Sequence, residues 1–378
     1  MKKVISIFLL VTMVCLFLSG CSKKTYEIAL ITDKGNIDDK SFNQGSWEGV
    51  VEFAEENKLT HKYFKPESGS DEQYLASIDN AVAAGAKVVV TPGFLFEVAV
   101  NEAQTKYPEV KFILLDGEPH NTDTPAVYKT EKNVACIKYA EEQSGYLAGY
   151  AAVKDGYTKI GFMGGMAVPA VQAFGYGYLQ GAEAAAKELN LSDGAISCIY
   201  HYTGNFDETD TNKAMAKTMY QEGTEVIFAC GGSVGKSVMS AASEAGAKVI
   251  GVDVDQRYDN EAVMTSAMKG LAASVIAVLD SIYNTKSWET YAGTLTYFNA
   301  ANNGVGLPTQ VIGDDKADAF DRFNSFNKAE YDAVYATLSS GSVVPLRTIN
   351  IPEASNGIAT ADELTAGLSL AKVKVETR

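Results

Sequence analysis

Histidine is scarce in this sequence, and basic residues are outnumbered. The 378 residues include 3 His, which are His61, His120 and His201. None of them is close in sequence to another His or to a pair of Cys, so a structural zinc site is not expected. The chain has 47 acidic and 32 basic side chains, which gives a formal net charge of −15. This acid excess disfavours nucleic acid as a partner, because binding to phosphates depends on Lys and Arg.

Proline and long apolar runs are also sparse. Only 9 Pro occur, while 46% hydrophobic and 10% aromatic residues provide ample material for a core. This composition excludes a disordered or fibrous chain, whose few apolar groups could not offset the entropy lost on ordering. At roughly 150 residues per domain, the length predicts two or three globular domains. After residue 20 there is no run of about 18 apolar residues, so the sequence predicts no membrane-spanning helix there.

The N-terminus has the pattern of a cleaved export signal. Two lysines precede an apolar run over residues 4–18, and two small residues then lead to Cys21. This order predicts a lipoprotein signal peptide over residues 1–20, cut before Cys21, which then carries the lipid. An ordinary secretory signal with an incidental cysteine is the alternative. Each buried acyl methylene contributes about 0.8 kcal/mol, so we expect a lipid-anchored protein on the extracytoplasmic face of the cell membrane. Loss of the signal changes the formal charge from −15 to −17, because it removes two lysines.

Three further cysteines remain after the signal and the lipidated residue. Cys136, Cys198 and Cys230 each have mostly apolar neighbours. An odd number of such residues favours small buried thiols over a disulfide framework. One disulfide among the three stays open as an alternative.

Segments with the patterns of strands and helices alternate along the chain after residue 25. Mostly apolar runs predict buried parallel strands, and the segments between them predict helices. The predicted strands are residues 26–31, 62–64, 87–90, 111–115, 159–163, 195–202, 225–229 and 248–253. The predicted helices are residues 41–55, 71–84, 94–106, 169–189, 212–221 and 234–245. A second series begins near Tyr157 and repeats the outline of the first, which predicts an α/β fold of two lobes, each a parallel sheet flanked by helices.

Polar and glycine residues follow many of the predicted strands. Asp33, Asp116 and Asp253 stand at three of these strand ends, and glycine pairs stand at two others. In open α/β sheets, ligands bind beyond the carboxyl ends of the strands. Two such lobes joined edge to edge therefore predict a ligand cleft between them.

Two glycine-rich segments resemble nucleotide-binding motifs but fail in their spacing. In residues 231–237 the position five before Gly235 is Cys230, so the P-loop pattern misses by one residue. Residues 175–181 miss the dinucleotide spacing and lie inside a predicted helix. Both segments predict close packing instead, although residues 231–232 could also offer backbone N–H groups to a ligand.

Groups for catalysis are not evident in the sequence. No Ser stands in the Gly-x-Ser-x-Gly context of a nucleophile, and the three His show no setting that would make them a general base. Together with a two-lobed cleft and a surface anchor, this favours a binding protein over an enzyme.

The segment Asp33–Gln44 resembles the start of the basic membrane protein family of bacterial substrate-binding lipoproteins. Similar pieces follow in the order of that family over nearly the whole mature chain. They are Leu115-Asp116, Gly164-Gly165-Met166 with Pro169, Val171 and Phe174, Tyr202-x-Gly204, Gly251-Val252-Asp253 with Asp255-Gln256, Ser266 with Lys269-Gly270, and Gly304–Leu307. Their order and spacing are specific, although no single piece is.

The resemblance implies a two-lobed type I periplasmic-binding-protein-like fold with three hinge crossings. On that basis we expect residues 26–135 and 257–298 in the N-terminal lobe, and residues 136–256 and 299–348 in the C-terminal lobe. Residues 349–378 carry no strong pattern and are either a strand that returns along a lobe or a partly ordered C-terminal tail.

The better-understood members of this family bind purine nucleosides for ABC-type uptake. The resemblance therefore implies a purine nucleoside such as inosine, guanosine or adenosine as ligand, and ABC transporter permease subunits as partners. It implies neither a cofactor nor a metal. We expect a monomer whose lobes close around the ligand.

The resemblance also implies seven ligand-binding residues, which are Phe42, Asn43, Asp116, Phe174, Gly231, Asp253 and Lys269. The two phenylalanines would lie on the two faces of the base, where stacking contributes roughly 1–3 kcal/mol. The asparagine and the first aspartate would meet the polar edge of the base. The second aspartate and the lysine would meet the ribose hydroxyls, and the glycine or its neighbours would supply backbone contacts.

Each of these assignments has an alternative in ordinary structure. Phe42 could pack as a hydrophobic residue at a helix start, and Phe174 could belong to the core. Asp116 and Asp253 could be turn residues after strands. Lys269 could be a solvated surface lysine.

Two other functions stay open. A protein of the same fold for a sugar or a signalling ligand would not need the paired aromatic residues. A nucleoside hydrolase would need a metal-binding carboxylate cluster, for which the pairs Asp38-Asp39 and Asp314-Asp315 are the local candidates. Asp38 and Asp39 otherwise predict a solvated helix-capping pair, and the role of Phe206 is open.

Overall fold

The computed structural model describes residues 25–309, 318–347 and 359–378. The predicted signal over residues 1–20, the predicted lipidation residue Cys21 and the pair Asp314-Asp315 lie outside these ranges. The strands are β1 (Ile28–Ile31), β2 (His61–Phe64), β3 (Val88–Pro92), β4 (Lys111–Leu115), β5 (Val134–Tyr139), β6 (Lys159–Gly164), β7 (Ile196–Tyr202), β8 (Val226–Cys230), β9 (Lys248–Asp253), β10 (Val263–Lys269), β11 (Thr294–Phe298), β12 (Val305–Gly306) and β13 (Val373–Thr377). The α-helices are α1 (Phe42–Glu56), α2 (Asp71–Ala83), α3 (Glu97–Lys106), α4 (Glu141–Lys154), α5 (Pro169–Glu188), α6 (Asp210–Gln221), α7 (Val234–Ala245), α8 (Leu271–Tyr283), α9 (Lys328–Ser339) and α10 (Ala361–Thr365).

These strands form two separate sheets. The first has the order β11-β5-β4-β3-β1-β2, and the second has the order β12-β10-β9-β8-β6-β7-β13. Their neighbouring strands are parallel, except that β12 runs antiparallel to β10. Strands β1, β3 and β8 are buried at every position. This burial explains their continuous apolar runs, because a parallel strand covered on both faces meets apolar groups on each side.

The chain crosses three times between the two sheets in the described residues. The first crossing follows β5, the second follows β10, and the third leads from β11 to β12. The expected lobe boundaries are wrong at two places. Residues 136–139 stay in the first sheet with the rest of β5, and residues 263–269 form β10 of the second sheet. The physical reason is that a strand is hydrogen-bonded along its length, so the chain changes lobes only after the strand ends.

The C-terminal tail contributes a strand to the second sheet. Residues 373–377 pair in parallel with β7 as strand β13. Of the two expectations for residues 349–378, the returning strand is therefore the one observed for this part of the tail.

Helices α4 and α5 pack against each other through glycines. A Cβ added to Gly145 would collide with the backbone carbonyl of Phe174, and one added to Gly177 would collide with that of Glu142. This confirms close packing as the role of the glycines in residues 175–181. The contact also holds α4 beside Phe174.

The three remaining cysteines are free and buried. Cys136 lies in the first sheet, and Cys198 and Cys230 lie in the second. This confirms the expected buried thiols. Among the residues that the structure describes, no helix is long and apolar enough to cross a membrane.

Candidate functional site

A cleft lies between the lobes at the carboxyl ends of the strands. It encloses about 860 Å³, its open mouth included. The residues of the sequence prediction that line it are Phe42, Asn43, Asp116, Phe174, Gly231, Asp253 and Lys269. The structure thus brings all seven together, while their contacts with a ligand stay a prediction.

Lys269 is the centre of a charged cluster that joins the two lobes. Its Nζ lies 2.5 Å from Asp116 Oδ2, 3.3 Å from Glu141 Oε1 and 3.9 Å from Asp253 Oδ1. The side chain of Lys269 is only 3% exposed. The alternative of a solvated surface lysine is therefore wrong. We call these four residues the Lys269 cluster.

Burial and charge act in opposite directions on this cluster. Burial raises the pKa of Asp116 to about 7, although the Lys269 ammonium favours its ionised form. Burial likewise raises the pKa of Asp253. Burial alone would lower the pKa of Lys269, but the nearby carboxylates, Asp116 foremost, raise it. The ammonium therefore stays charged, and Asp116 and Asp253 are the groups of the cluster whose proton uptake is shifted toward neutral pH.

Asp116 and Asp253 are turn residues and cleft residues at once. Their φ angles are 57° and 68°, in the left-handed region. Aspartate adopts this conformation more readily than most residues other than glycine. The sharp turn directs both side chains into the cleft, so the turn alternative and the ligand-binding prediction do not exclude each other.

Asp116 and Asp253 meet the same ammonium, that of Lys269. The expected contacts of Asp116 with the edge of the base, and of Asp253 and Lys269 with the ribose, stay predictions. The Oδ1 atom of Asp116 is buried and accepts no hydrogen bond from the described residues. Asp116 thus belongs to the same polar end of the cleft as Asp253.

A second polar group forms around Asp33, which is not among the seven predicted ligand-binding residues. Asp33 Oδ1 accepts hydrogen bonds from Asn43 Nδ2 at 2.7 Å and from the Gly35 N–H at 2.7 Å. Asn43 Nδ2 also donates to Asp39 Oδ2 at 2.9 Å, and Asn43 Oδ1 accepts from the Asp33 N–H. The polar atoms of Asn43 are thus already bonded, so its observed role is to hold Asp33. We call Asp33, Asp39 and Asn43 the Asp33 network.

Asp39 ties this network to the start of helix α1. Its carboxylate accepts hydrogen bonds from the backbone N–H groups of Ser41, Asn43 and Gln44. These are among the N–H groups that a helix start leaves without a partner. The capping prediction is confirmed for Asp39. It is buried, however, so the expectation that it is solvated is wrong.

The second carboxylate oxygen of Asp33, Oδ2, faces the same space as the Phe42 ring. A Cβ added to Gly93 would lie 3.7 Å from Phe42 Cε1 and 3.8 Å from Asp33 Oδ2. Gly93 has a φ of +119°, which favours glycine. Burial raises the pKa of Asp33 to about 6, although hydrogen bonds from Asn43 and Gly35 favour the ionised form.

Aromatic rings surround the Lys269 ammonium. Its Nζ lies 4.8 Å from the ring centroid of Phe42, 5.3 Å from that of Phe174 and 5.4 Å from that of Tyr139. Contacts between an ammonium and the face of a ring are favourable within about 6 Å. The rings of Phe42 and Phe174 are therefore at most about 10 Å apart.

Phe174 and Phe206 present different amounts of surface to the cleft. Phe174 is 2% exposed and packs edge-on against Phe228, so the core alternative describes most of its contacts. Phe206 is only partly buried and lines the cleft, where its ring covers Gly165 and Gly231. The structure thus gives Phe206, whose role the sequence left open, a place on the cleft wall.

The lobes also touch at a second set of contacts, next to Asp253 of the Lys269 cluster. Ser41 Oγ donates to Asp253 Oδ2 at 2.5 Å, and Gln256 Nε2 donates to the Lys40 carbonyl at 2.7 Å. Lys40 Nζ lies 3.7 Å from Asp259 Oδ1. We call these five residues the latch, because their contacts hold the two lobes together beside the Lys269 cluster.

Some of these residues could have been found from the sequence. Asp33 follows the end of β1 as Asp116 follows the end of β4, so the same signal applies to both. Glu141 and Phe206 offer no such local signal, because their roles depend on contacts with distant segments. In the described residues, no group of three His, Cys, Asp or Glu is arranged to hold a metal ion.

Comparisons with known proteins agree with this fold and cleft. The profile of the family described as Bmp, ABC transporter substrate-binding protein PnrA-like, matches residues 27–337. The ABC transporter nucleoside-binding protein BmpA of Lactococcus lactis subsp. cremoris (strain MG1363) is 32% identical over 312 residues, covering 76% of this chain and 83% of that protein. Basic membrane protein A of Borreliella burgdorferi is 30% identical over 316 residues, covering 81% of this chain and 87% of that protein.

A solved structure shows the fold independently. The ABC transporter system solute-binding protein from Aeropyrum pernix K1 matches with a TM-score of 0.74 at 21% identity, covering 90% of this chain and 98% of that chain. This likeness confirms the two-lobed type I periplasmic-binding-protein-like fold. The family match confirms a binding protein rather than an enzyme. This chain belongs to the Bmp family of ABC transporter substrate-binding proteins.

Proposed function

We propose that the protein captures purine nucleosides in the cleft and delivers them to the permease of an ABC transporter. The observation that carries the proposal is that Phe42 lines the cleft together with two polar groups. Asp33 Oδ2 and Phe42 Cε1 face the same space beside Gly93, and the Lys269 ammonium lies 4.8 Å from the centroid of the Phe42 ring. A nucleoside has groups that match these, since its flat base carries polar groups at one edge and a ribose with hydroxyl groups at the other end.

The Asp33 network suits the edge of the base. The purine edges of guanosine, inosine and adenosine all carry N–H donors, and an ionised carboxylate accepts such hydrogen bonds. Asn43 and the Gly35 N–H hold Oδ1 of Asp33, which leaves Oδ2 directed to the side of Gly93 and the cleft. This revises the earlier expectation, because Asp33 takes the place at the base edge that Asp116 and Asn43 were expected to share.

The Lys269 cluster suits the ribose. Hydroxyl groups both donate and accept, so they fit a site with carboxylate oxygens and an ammonium side by side. The buried Oδ1 of Asp116 accepts no hydrogen bond from the described residues and is available to a hydroxyl. Asp253 and Lys269 keep the role that the family resemblance implies for them.

The aromatic residues suit the faces of the base. Stacking on an aromatic ring contributes roughly 1–3 kcal/mol per base. Phe42 supplies one face, Phe174 remains the predicted second partner, and the position of Phe206 on the cleft wall adds it as a further candidate. Gly231 brings backbone close to this wall, since a Cβ there would lie 2.7 Å from the backbone nitrogen of Gly165.

The charge of the cleft favours an uncharged solute. Four aspartates line it, against the two lysines Lys34 and Lys269. A phosphate group would add negative charge where negative charge is already in excess. The name of the Lactococcus relative, a nucleoside-binding protein, supports the same ligand class.

Calorimetry on the purified protein tests this proposal. We expect guanosine and inosine to bind, and ribose, guanine and guanosine monophosphate to bind at least about tenfold more weakly, a difference of about 1.4 kcal/mol in binding free energy. A site built to bond hydroxyls discriminates against ligands that lack them, because its buried polar groups are left unpaired. Binding of a sugar with no response to nucleosides would contradict the proposal and favour the sugar alternative.

We also propose that lipid on Cys21 holds the protein at the extracytoplasmic face of the cell membrane. The order of charged, apolar and small residues before Cys21 supports this. Metabolic labelling with a palmitate analogue should mark the protein, and Cys21→Ser should abolish the label. A label that persists on the variant would contradict the anchor.

A further inference from the structure

A chain of charged contacts continues from the Lys269 cluster to the protein surface. Glu141 is the first residue of α4, and its side chain is 1% exposed. Its Oε1 lies 3.3 Å from Lys269 Nζ, and its Oε2 lies 2.6 Å from Arg347 Nη2. The Arg347 side chain is 29% exposed, so it links the buried cluster to solvent.

Arg347 also holds the first hinge crossing. Its Nη1 donates to the Tyr139 carbonyl at 2.8 Å and to Glu142 Oε2 at 2.5 Å. Tyr139 ends β5 in the first sheet, while Glu141 and Glu142 begin α4 in the second lobe. One guanidinium therefore contacts the chain on both sides of the crossing.

Glu141 acts on the cluster through its charge. Neither of its oxygens accepts a hydrogen bond of standard geometry from the described residues, so both of its contacts are ion pairs. It does not line the cleft, whereas Asp116, Asp253 and Lys269 do. Its charge therefore reaches a bound solute through the cluster residues that line the cleft, namely Lys269, which it contacts, and the like-charged Asp116 and Asp253.

Arg347 supplies a second positive charge beside the three carboxyl groups of the cluster. Asp116, Glu141 and Asp253 face a single ammonium. A buried carboxylate without a counter-charge is costly and takes up a proton instead. With Arg347 on Glu141, the ammonium is left to the two aspartates that line the cleft.

Other titratable groups lie around the cluster. One is the Asp39 carboxyl group, since the pKa of Asp253 is raised by burial and also by the nearby charge of Asp39. Burial raises the pKa of the Tyr139 hydroxyl and of the Cys230 thiol, so both remain neutral near pH 7. Glu142 is the second carboxylate on Arg347, and burial raises its pKa as well. Glu142 contacts Nη1 of Arg347, whereas Glu141 contacts Nη2 and also Lys269, which makes Glu142 a matched control.

We propose that Glu141 and Arg347 are positioning residues of the ligand cleft, in which the Arg347 guanidinium neutralises buried Glu141 and thereby sets the charge of the Lys269 cluster. The inference goes beyond the proposed function, because it holds for any solute that meets Asp116, Asp253 and Lys269. It assigns to a residue of the C-terminal segment a role in the charge state of a cleft that it does not touch.

The test follows the proton on Asp116 in the full chain without ligand. Aspartate labelled with ¹³C at Cγ gives a carboxyl signal that titrates in nuclear magnetic resonance, and Asp116→Asn identifies the signal of Asp116. Arg347→Gln should raise the midpoint of its titration by at least about half a pH unit, because Glu141 then competes for Lys269. Glu141→Gln should lower the midpoint, because a like charge is removed.

A double variant and two controls separate charge from structure. Glu141→Gln with Arg347→Gln removes both charges and should give the midpoint of Glu141→Gln alone. Arg347→Lys keeps the positive charge and should stay close to the wild type. Glu142→Gln removes the other partner of Arg347 and should leave the midpoint unchanged.

Two outcomes would overturn the proposal. One is an Asp116 midpoint that does not respond to Arg347→Gln, and the other is a shift that persists in full when Glu141 is also replaced. If Arg347→Gln fails to fold, the predicted downward shift in Glu141→Gln still decides. Guanosine calorimetry on the same variants is a separate test. If the wild type does not bind guanosine, the proposed nucleoside function is contradicted, but the Asp116 titration still tests the role of Glu141 and Arg347.

Discussion

The Asp33 network and the Lys269 cluster line one cleft but hold their carboxylates in different ways. Asp33 and Asp39 are held by hydrogen bonds from backbone N–H groups and from the amide of Asn43. In the Lys269 cluster, carboxylates of both lobes share one ammonium. The first arrangement comes from a single stretch of twelve residues, 33–44, whereas the second exists only when the lobes meet.

This difference assigns distinct tasks to the two groups. The Asp33 network forms within the first lobe, so it is complete before any closure of the cleft. The Lys269 cluster and the latch need both lobes, since Asp116 and Ser41 come from the first and Lys269 and Asp253 from the second. We therefore expect changes in the Asp33 network to alter recognition, and changes in the Lys269 cluster to alter stability and closure as well.

The largest effect is expected from Lys269→Met. It leaves Asp116, Glu141 and Asp253 buried without the ammonium, and loss of one partner from a buried ion pair costs about 3–5 kcal/mol. Urea unfolding at pH 8, which is above the pKa of about 7 of Asp116, should show a destabilisation of that size, and binding of guanosine should be lost.

Lys328→Met is the matched control for this lysine. Lys328 Nζ lies 2.6 Å from Asp332 Oδ2, but both side chains are more than half exposed. An exposed pair four residues apart on a helix contributes about 0.3–0.5 kcal/mol. If the two changes lower the free energy of unfolding equally, Lys269 contributes no more to stability than a lysine in a surface ion pair.

The next largest effect is expected from Asp33→Asn on ligand binding. Asparagine keeps an oxygen for the Gly35 N–H, but it replaces the other carboxylate oxygen with an N–H donor that faces the donors of a purine. The expected loss is about 1–3 kcal/mol of binding free energy, with little change in the fold. Asp38→Asn is the control, because Asp38 is exposed and does not line the cleft. Calorimetry should show weaker guanosine binding for Asp33→Asn and unchanged guanosine binding for Asp38→Asn.

The contrast between local and distant contacts also explains how far the sequence predicts this molecule. The apolar runs locate β1 and β4 and the helix α1 to within two residues, because their periodicity depends on neighbours in sequence. The lobe membership of β5 and β10 depends on which distant strand each one pairs with, and the expected boundaries fail there.

The same limit applies to the candidate site. The segment Asp33–Gln44 is visible as a motif, and the capping role of Asp39 follows from its position before α1. The meeting of Asp116 with Lys269 joins residues 153 positions apart, and the contact of Glu141 with Arg347 joins two further segments. Local sequence patterns predict where the strands end, but only the packed lobes show which side chains at those ends contact the same charged group.

The pH dependence of stability sharpens the comparison through Asp33. Its pKa is about 6 in the folded protein, against an ordinary value of 3.8. The folded state therefore holds this proton more tightly, so the stability from this group is complete below about pH 4 and is lost as the pH rises through 6. Asp33→Asn removes this dependence. The free energy of unfolding of the variant minus that of the wild type should rise by about 1 kcal/mol between pH 5 and pH 7, as measured by urea unfolding without ligand. A difference that stays constant with pH would contradict the raised pKa.

The smallest effect is expected at the latch, from Lys40→Met. The Lys40 Nζ atom is 3.7 Å from Asp259 Oδ1, and its side chain is 48% exposed. Exposed pairs of this kind contribute about 0–1 kcal/mol and are screened by salt.

Because the contact between Lys40 and Asp259 joins the lobes, its loss should speed ligand release rather than unfold the protein. The dissociation rate should be about two- to threefold higher at low ionic strength and little changed at high ionic strength. Lys58→Met is the matched control, since Lys58 shares the left-handed backbone (φ 55° against 60° for Lys40) but follows the far end of α1. Stopped-flow release of a nucleoside at two salt concentrations measures the effect. If the dissociation rate changes equally in both variants, the Lys40–Asp259 contact does not slow ligand release, and only the Gln256 and Ser41 contacts of the latch join the lobes.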